Sequence, residues 1–177
     1  MDEKADVVFN TVIPPGLSPF IKQLYEAGFS AKGGRLSCVY YDENCLNFNT
    51  AAEMEGLASC LDYFQNIEDP FSAELQATYQ KKHAHKDKVL FTAGSASTGM
   101  YRGIKLWESA VKEAGNVDRE SVSAAMDHAK IANGPGGPAS IVPGTYHTQM
   151  NMYIAVAKGG KYEIIAKADQ VHPKECG

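Results

Sequence analysis

The sequence lacks a basic surplus: 17 lysines and arginines stand against 21 aspartates and glutamates, for a net charge of −4. With no basic face to release counterions, nucleic acid is excluded as a partner. Also absent is any apolar run approaching the roughly 18 residues that would span a bilayer. Cysteine is scarce. Cys38, Cys45, Cys60 and Cys176 make no C-x-x-C and no zinc-spaced pairing with histidine. Cys38 and Cys60 read as small buried hydrophobes in neighbouring strands.

Catalytic signatures are missing as well. No G-x-S-x-G elbow joins a strand to a helix. The run Gly94–Gly99 lacks the Gly-Lys-Ser/Thr ending of a phosphate loop, and Gly134-Pro135-Gly136-Gly137-Pro138 is not a dinucleotide fingerprint. His83 and His85 have no third ligand nearby, while His147 and His172 stand alone. No nucleophile, base and oxyanion hole come together, so neither an enzyme nor a metal or cofactor is expected. Met1–Lys4 runs into a strand with no apolar export segment, as expected of the later part of something longer.

What is present is ordinary for a globular chain. Of 177 residues, 44% are hydrophobic and 21% charged, enough for one core or two small lobes. Ala5–Ile13 reads as a near-continuous apolar strand, the kind found in sheets covered on both faces. Ser18-Pro19 predicts an N-cap and first turn, with a helix to Ala27 stopped by Gly28. Strands are expected over Leu36–Tyr41 and Leu57–Phe64, with a short helix about Thr50–Glu55 between them. Strand, helix and strand with short links predict parallel βαβ units. Amphipathic helices follow at Pro70–His83 (Phe71, Leu75, Tyr79), Thr92–Ala114 and Asp118–Ala129. Met100, Ile104, Trp107, Val111 and Ala114 are expected to form the core face of the longest one. A short strand at Ala139–Val142, a hairpin of Met150–Ala157 and Lys161–Lys167 around Gly159-Gly160, and a polar tail from Val171 complete the chain.

All three early strands end in polar residues: Asn10-Thr11, then Asp42-Glu43-Asn44, then Asp62 and Tyr63. In a parallel sheet those ends share one edge, where ligands sit. Adjacent carboxylates on a loop are poorly placed to attack one substrate from two sides. That edge therefore suits binding better than bond-breaking.

The order DVVFNTV, PFIKQLYEAG, a strand ending in an acid, EGLASCLDYFQNIEDP, GMYRGIKLWESAVKEAG, and a Gly-Pro break before YHTQMNMYIAVAKGGKYEI resembles the C-terminal part of type I periplasmic binding proteins, the solute receptors of ABC importers. It looks most like their amide and urea branch. The resemblance implies a partial α/β fold: a parallel βαβ sheet of the second lobe, helices belonging to the first lobe, and a C-terminal β-hairpin. Residues 1–68 and 139–177 would form the second-lobe segment and 69–138 the helical segment, with hinges near 64–70 and 134–142. It implies a ligand, a small amide, urea or amino acid, held by Asn10, Thr11, Tyr41, Asp42, Glu43 and Tyr63, through carboxylate acceptors and tyrosine hydroxyls. The implied partner is a membrane permease and the implied location periplasmic or extracytoplasmic. The family's cytosolic branch implies an alternative, an amide-sensing regulator that holds a signalling protein. Members of the family run to about twice this length, as befits a pair of domains. Apolar stripes left bare by a missing part would then favour a homo-oligomer.

Overall fold

Three short parallel strands begin the sheet: β1 (Val7–Asn10), β2 (Arg35–Cys38) and β3 (Ala58–Leu61). The computed structural model describes residues 5–13, 16–83 and 92–174. Helix α1 (Leu17–Glu26) links β1 to β2, and α2 (Ala51–Met54) precedes β3. Helix α3 (Pro70–His83), α4 (Ser95–Ala114) and α5 (Arg119–Ala125) follow. Strands β4 (Lys130–Ile131), β5 (Ala139–Ile141), β6 (Thr148–Lys158) and β7 (Lys161–Val171) close the chain. The long β6 unites the sheet, pairing antiparallel with β3, β5 and β7, in the order β1-β2-β3-β6-β5-β4. Gly159 and Gly160, both at positive φ, make the β6–β7 turn.

Local chemistry explains most boundaries. Thr50 and Glu53 form a reciprocal capping box at α2. Asp118 caps α5 by accepting the N–H groups of Glu120 and Ser121. Gly115, in the left-handed region, stops α4. At α1 the expected cap is displaced by two residues. Gly16 takes the N-cap position with no side-chain bond, and Ser18 Oγ instead donates to the Phe48 carbonyl at 3.0 Å. The three early strands are shorter than their apolar runs, because pairing ends where the chain turns toward the sheet edge.

Two apolar clusters hold the chain together. The larger gathers Leu17, Ile21, Leu36, Cys38, Leu61 and Phe64 with Tyr153 and Tyr162 between the sheet and helices α1 and α2. The smaller joins Leu106 and Ala110 of α4 to Val122, Ala125, Ala129 and Ile141.

Four expectations need correction. Among the described residues the strand at Ala5–Ile13 is not covered on both faces; helices pack on the Val8 side, and Val7 and Phe9 are exposed. Cys60 shares that bare side and is exposed, unlike Cys38. On α3, Phe71, Leu75 and Tyr79 are only half-buried, and the one buried residue is Ser72. On α4 the buried stripe is Thr98, Arg102, Leu106 and Ala110. Met100, Ile104 and Trp107 point outward at 68%, 57% and 51% exposure. Val111 and Ala114 of the expected face do pack, against the smaller cluster, while Arg102 turns its own stripe inward, where its charge finds buried partners. The charged loop at His83–Lys88, apart from His83, falls outside the described residues.

Candidate functional site

The strand tips meet the start of α4. After β2, Tyr41 turns inward, and Asp42 folds back so that its Oδ1 accepts the N–H of Asn44 at 3.0 Å. Its other oxygen accepts the N–H of Ser95, the first residue of α4, at 3.0 Å. A carboxylate at the positive end of a 20-residue helix satisfies an orphan donor and opposes the macrodipole. Asn44 grips Thr92, three residues before α4, with both ends of its amide: Thr92 N–H donates to Oδ1 at 2.8 Å, and Nδ2 donates to the Thr92 carbonyl at 3.3 Å.

Gly94 lies so close that a Cβ there would stand 2.1 Å from Asp42 Oδ2. Its backbone (φ −73°, ψ −177°) suits any residue, so the demand for glycine is steric. Gly94→Ala should therefore lower stability by about 1–3 kcal/mol through overpacking, read as a fall in the urea midpoint. An unchanged midpoint would show that the clamp is loose.

The tip of β3 supplies a second anchor. Asp62 accepts Ser95 Oγ at 2.7 Å and forms a buried ion pair with Arg102 of α4. Arg102 Nη2 also donates to the Pro135 carbonyl at 2.8 Å, so one side chain joins a strand tip, a helix and the Gly-Pro crossing. At that crossing Gly136 (φ +76°) presses against the Asp62 backbone, where a Cβ would stand 2.5 Å from its carbonyl oxygen. Gly136 O in turn accepts Asn151 Nδ2 and the Tyr153 hydroxyl. Gln76 of α3 donates to the Tyr63 hydroxyl at 2.8 Å and to the Ala93 carbonyl at 3.1 Å.

Glu43 differs from its neighbours. It is buried, its Oε1 accepts the Gln65 N–H at 2.8 Å, and its Oε2 has no hydrogen-bond partner. Burial, helped by the Asp42 charge and opposed by the Gln65 N–H, pushes its carboxyl up from 4.5 to about 7.

Of the six residues expected to hold ligand, Asp42, Glu43 and Tyr63 gather around the 92–95 segment and the β3 exit. Asn10 is buried at the end of β1, where its amide bonds the Val12 backbone. Thr11 is exposed beyond it. Tyr41 is buried in the core; its hydroxyl donates to Asn49 Oδ1 at 2.7 Å and its carbonyl accepts the Tyr162 hydroxyl. Sequence reasoning missed Arg102, Gln76 and Thr92. An arginine between Thr98 and Leu106 on a helix stripe was the available signal.

A separate open groove of about 1180 Å³ runs beside the crossings, lined by Ile67, Asp69, Phe71, Gly137, Glu163 and Lys167 among others. Among the described residues, no three His, Cys, Asp or Glu side chains gather as a metal would require, and no helix is long and apolar enough to cross a membrane.

Parallel strands whose polar tips share one edge, clamped to the start of a long helix, form the architecture of an α/β binding unit. The chain belongs to the periplasmic binding protein family, whose model matches residues 1–161. No curated protein matches it. Among solved structures, it is 28% identical to an ABC-transporter solute-binding protein of Rhodopseudomonas palustris BisB5 in complex with 3,4-dihydroxybenzoic acid. The TM-score there is 0.76, over 94% of this chain and 46% of that one. A leucine-binding protein of Thermotoga maritima MSB8 shares the fold at 17% identity and TM-score 0.76, over 93% and 45% of the two chains. So does a leucine-, isoleucine-, valine-, threonine- and alanine-binding protein of Brucella ovis, at 16% identity and TM-score 0.76, over 96% and 45%. The chain thus spans about half the length of these solved relatives.

Proposed function

We propose that the chain is part of the substrate-binding component of an ABC importer, working outside the cytoplasm with a membrane permease. Its solute is a small amide, urea or amino-acid-like molecule held at the strand-tip edge, in a cleft between residues 1–68 with 139–177 on one side and the unit containing 69–138 on the other. The observation that carries this reading is Glu43 Oε2, a buried acceptor without a donor beside Asp42 and Tyr63. A solute N–H would satisfy it, relieving the cost of a desolvated, unpaired oxygen. Thr11 offers a further polar contact, while the buried Tyr63, held by Gln76, backs the site. Asn10 and Tyr41 hold the strand ends in place.

At about 1.5 kcal/mol per heavy atom at best, a four-atom amide or urea reaches roughly −6 kcal/mol, a Kd in the tens of micromolar. A thermal-shift panel of acetamide, urea, leucine and 4-hydroxybenzoate tests the reading. The N–H-bearing solutes are expected to raise Tm, and Glu43→Gln to weaken that rise. A shift with 4-hydroxybenzoate alone, or with none of them, would overturn it.

A further inference from the structure

The open groove beside the crossings has a chemistry of its own. Its banks are three segments distant in sequence: the β3 exit with the start of α3, the Gly-Pro crossing, and the β6–β7 ribbon. At about 1180 Å³ it is as large as the roughly 300–1,000 Å³ clefts that hold drug-sized ligands, and a four-atom solute would leave most of it empty. Glu68, Asp69 and Glu74 stand on the first bank, and none of the three has an ion-pair partner among the described residues. The charges on the ribbon are already paired, Glu163 with Lys158, and Lys167 with Asp169 at 2.6 Å. Three carboxylates therefore line the groove with no cation of this bank or the ribbon bonded to them.

Helix capping accounts for only one of their oxygens. Asp69 Oδ1 accepts the Ser72 N–H at 2.9 Å at the start of α3, while Asp69 Oδ2 is buried with no hydrogen-bond partner. Glu68 and Glu74 are exposed and take no part in the cap. Beside these acids the lining turns apolar and aromatic, with half-buried Phe71 and the buried ring of Tyr153. That ring already carries an ammonium group: Lys167 Nζ lies 6.0 Å over its centroid. Asp169 holds the Lys167 ammonium above its ordinary pKa against the cost of desolvation, and Asp69 adds a smaller share, so its charge is felt on the ribbon.

We propose that this groove is a second ligand site, for an organic ammonium ion with an aromatic or aliphatic body. The ammonium lies among Glu68, Asp69 and Glu74, and the body rests against Phe71 and Tyr153. An anion would meet three like charges there, and a neutral molecule would leave them unpaired. The inference is independent of the solute held at the strand tips, because none of the residues it uses was placed in that site.

Titration calorimetry with 2-phenylethylammonium, 2-phenylethanol and phenylacetate tests it, with amide chemical shifts to locate binding. The ammonium is expected to bind at least about tenfold more tightly than the alcohol, and to weaken several-fold from roughly 50 to 500 mM NaCl as exposed charges are screened. Shifts should fall at residues 66–74, 133–138 and 163–167. Glu68→Gln with Glu74→Gln, both exposed and so tolerated by the fold, should weaken the ammonium by about three- to tenfold, the combined effect of two surface charges. Equal binding of the alcohol or of phenylacetate would overturn the proposal, as would unchanged affinity in the double variant. So would shifts confined to residues 10–11 and 42–45, or no detectable binding at about 10 mM ammonium.

Discussion

Replacing Arg102 with alanine is expected to lower the unfolding free energy by about 3–5 kcal/mol, the usual consequence of leaving one charge of a buried pair uncompensated. The side chains of Arg102 and Asp62 are only 6% and 14% exposed, and three segments of distant sequence meet on this guanidinium. Removing it strands the Asp62 carboxylate, the Pro135 carbonyl and the contact between the Gly-Pro crossing and α4. The loss should appear as a lower urea midpoint by circular dichroism. Lys105→Ala, which removes one exposed ion-pair partner of Glu108 on the same helix and leaves Lys112, should leave the midpoint unchanged, because surface pairs in high dielectric contribute little. The loss comes from stranded partners and not from the strength of the pair, and Arg102 Nε itself has no acceptor. Arg102→Met combined with Asp62→Leu should therefore recover much of the loss. An Arg102→Ala variant within about 1 kcal/mol of the parent would mean that the three segments are held by packing alone.

Glu43 should make stability fall as pH rises. Its folded-state value lies near 7 and its ordinary value at 4.5, so between these the folded chain keeps a proton that the unfolded chain has released. Stability declines through that window and levels off above it, by about 3 kcal/mol for a shift of this size. Glu43→Gln keeps an oxygen for the Gln65 N–H and removes the titration. That variant should be more stable than the parent at pH 8 and close to it at pH 4.5. Equal pH slopes for the two proteins, measured by denaturant unfolding across the range, would place the charge in water.

Much of the fold was legible because its causes are local. Thr50 with Glu53, Asp118 with Ser121, and Gly115 each fix a helix end within four residues. The alternation of strand and helix set the parallel order of β1 to β3. The strand tips were legible as a polar edge, since three separate runs end in the same kinds of residue. What those tips touch was not. Asp42 meets Ser95 across 53 positions and Asp62 meets Arg102 across 40, and no local pattern records such pairings. The α4 stripe was misread for a related reason. Periodicity identifies an apolar face but not which body it packs against, and here its Met100, Ile104 and Trp107 are left open while Val111 and Ala114 pack and a stripe containing Arg102 turns inward. The bare face of β1 shows the same limit: a continuous apolar run signals two coverings, only one of which the described residues supply.

We propose that the solute site lies on the strand-tip edge and not in the groove beside the crossings. Amide chemical shifts recorded while acetamide or urea is titrated locate it directly. Shifts are expected at residues 10–11, 42–45 and 63–65 together with the 92–95 segment. Shifts confined to residues 133–138 and 163–167 would place binding in the groove and contradict it.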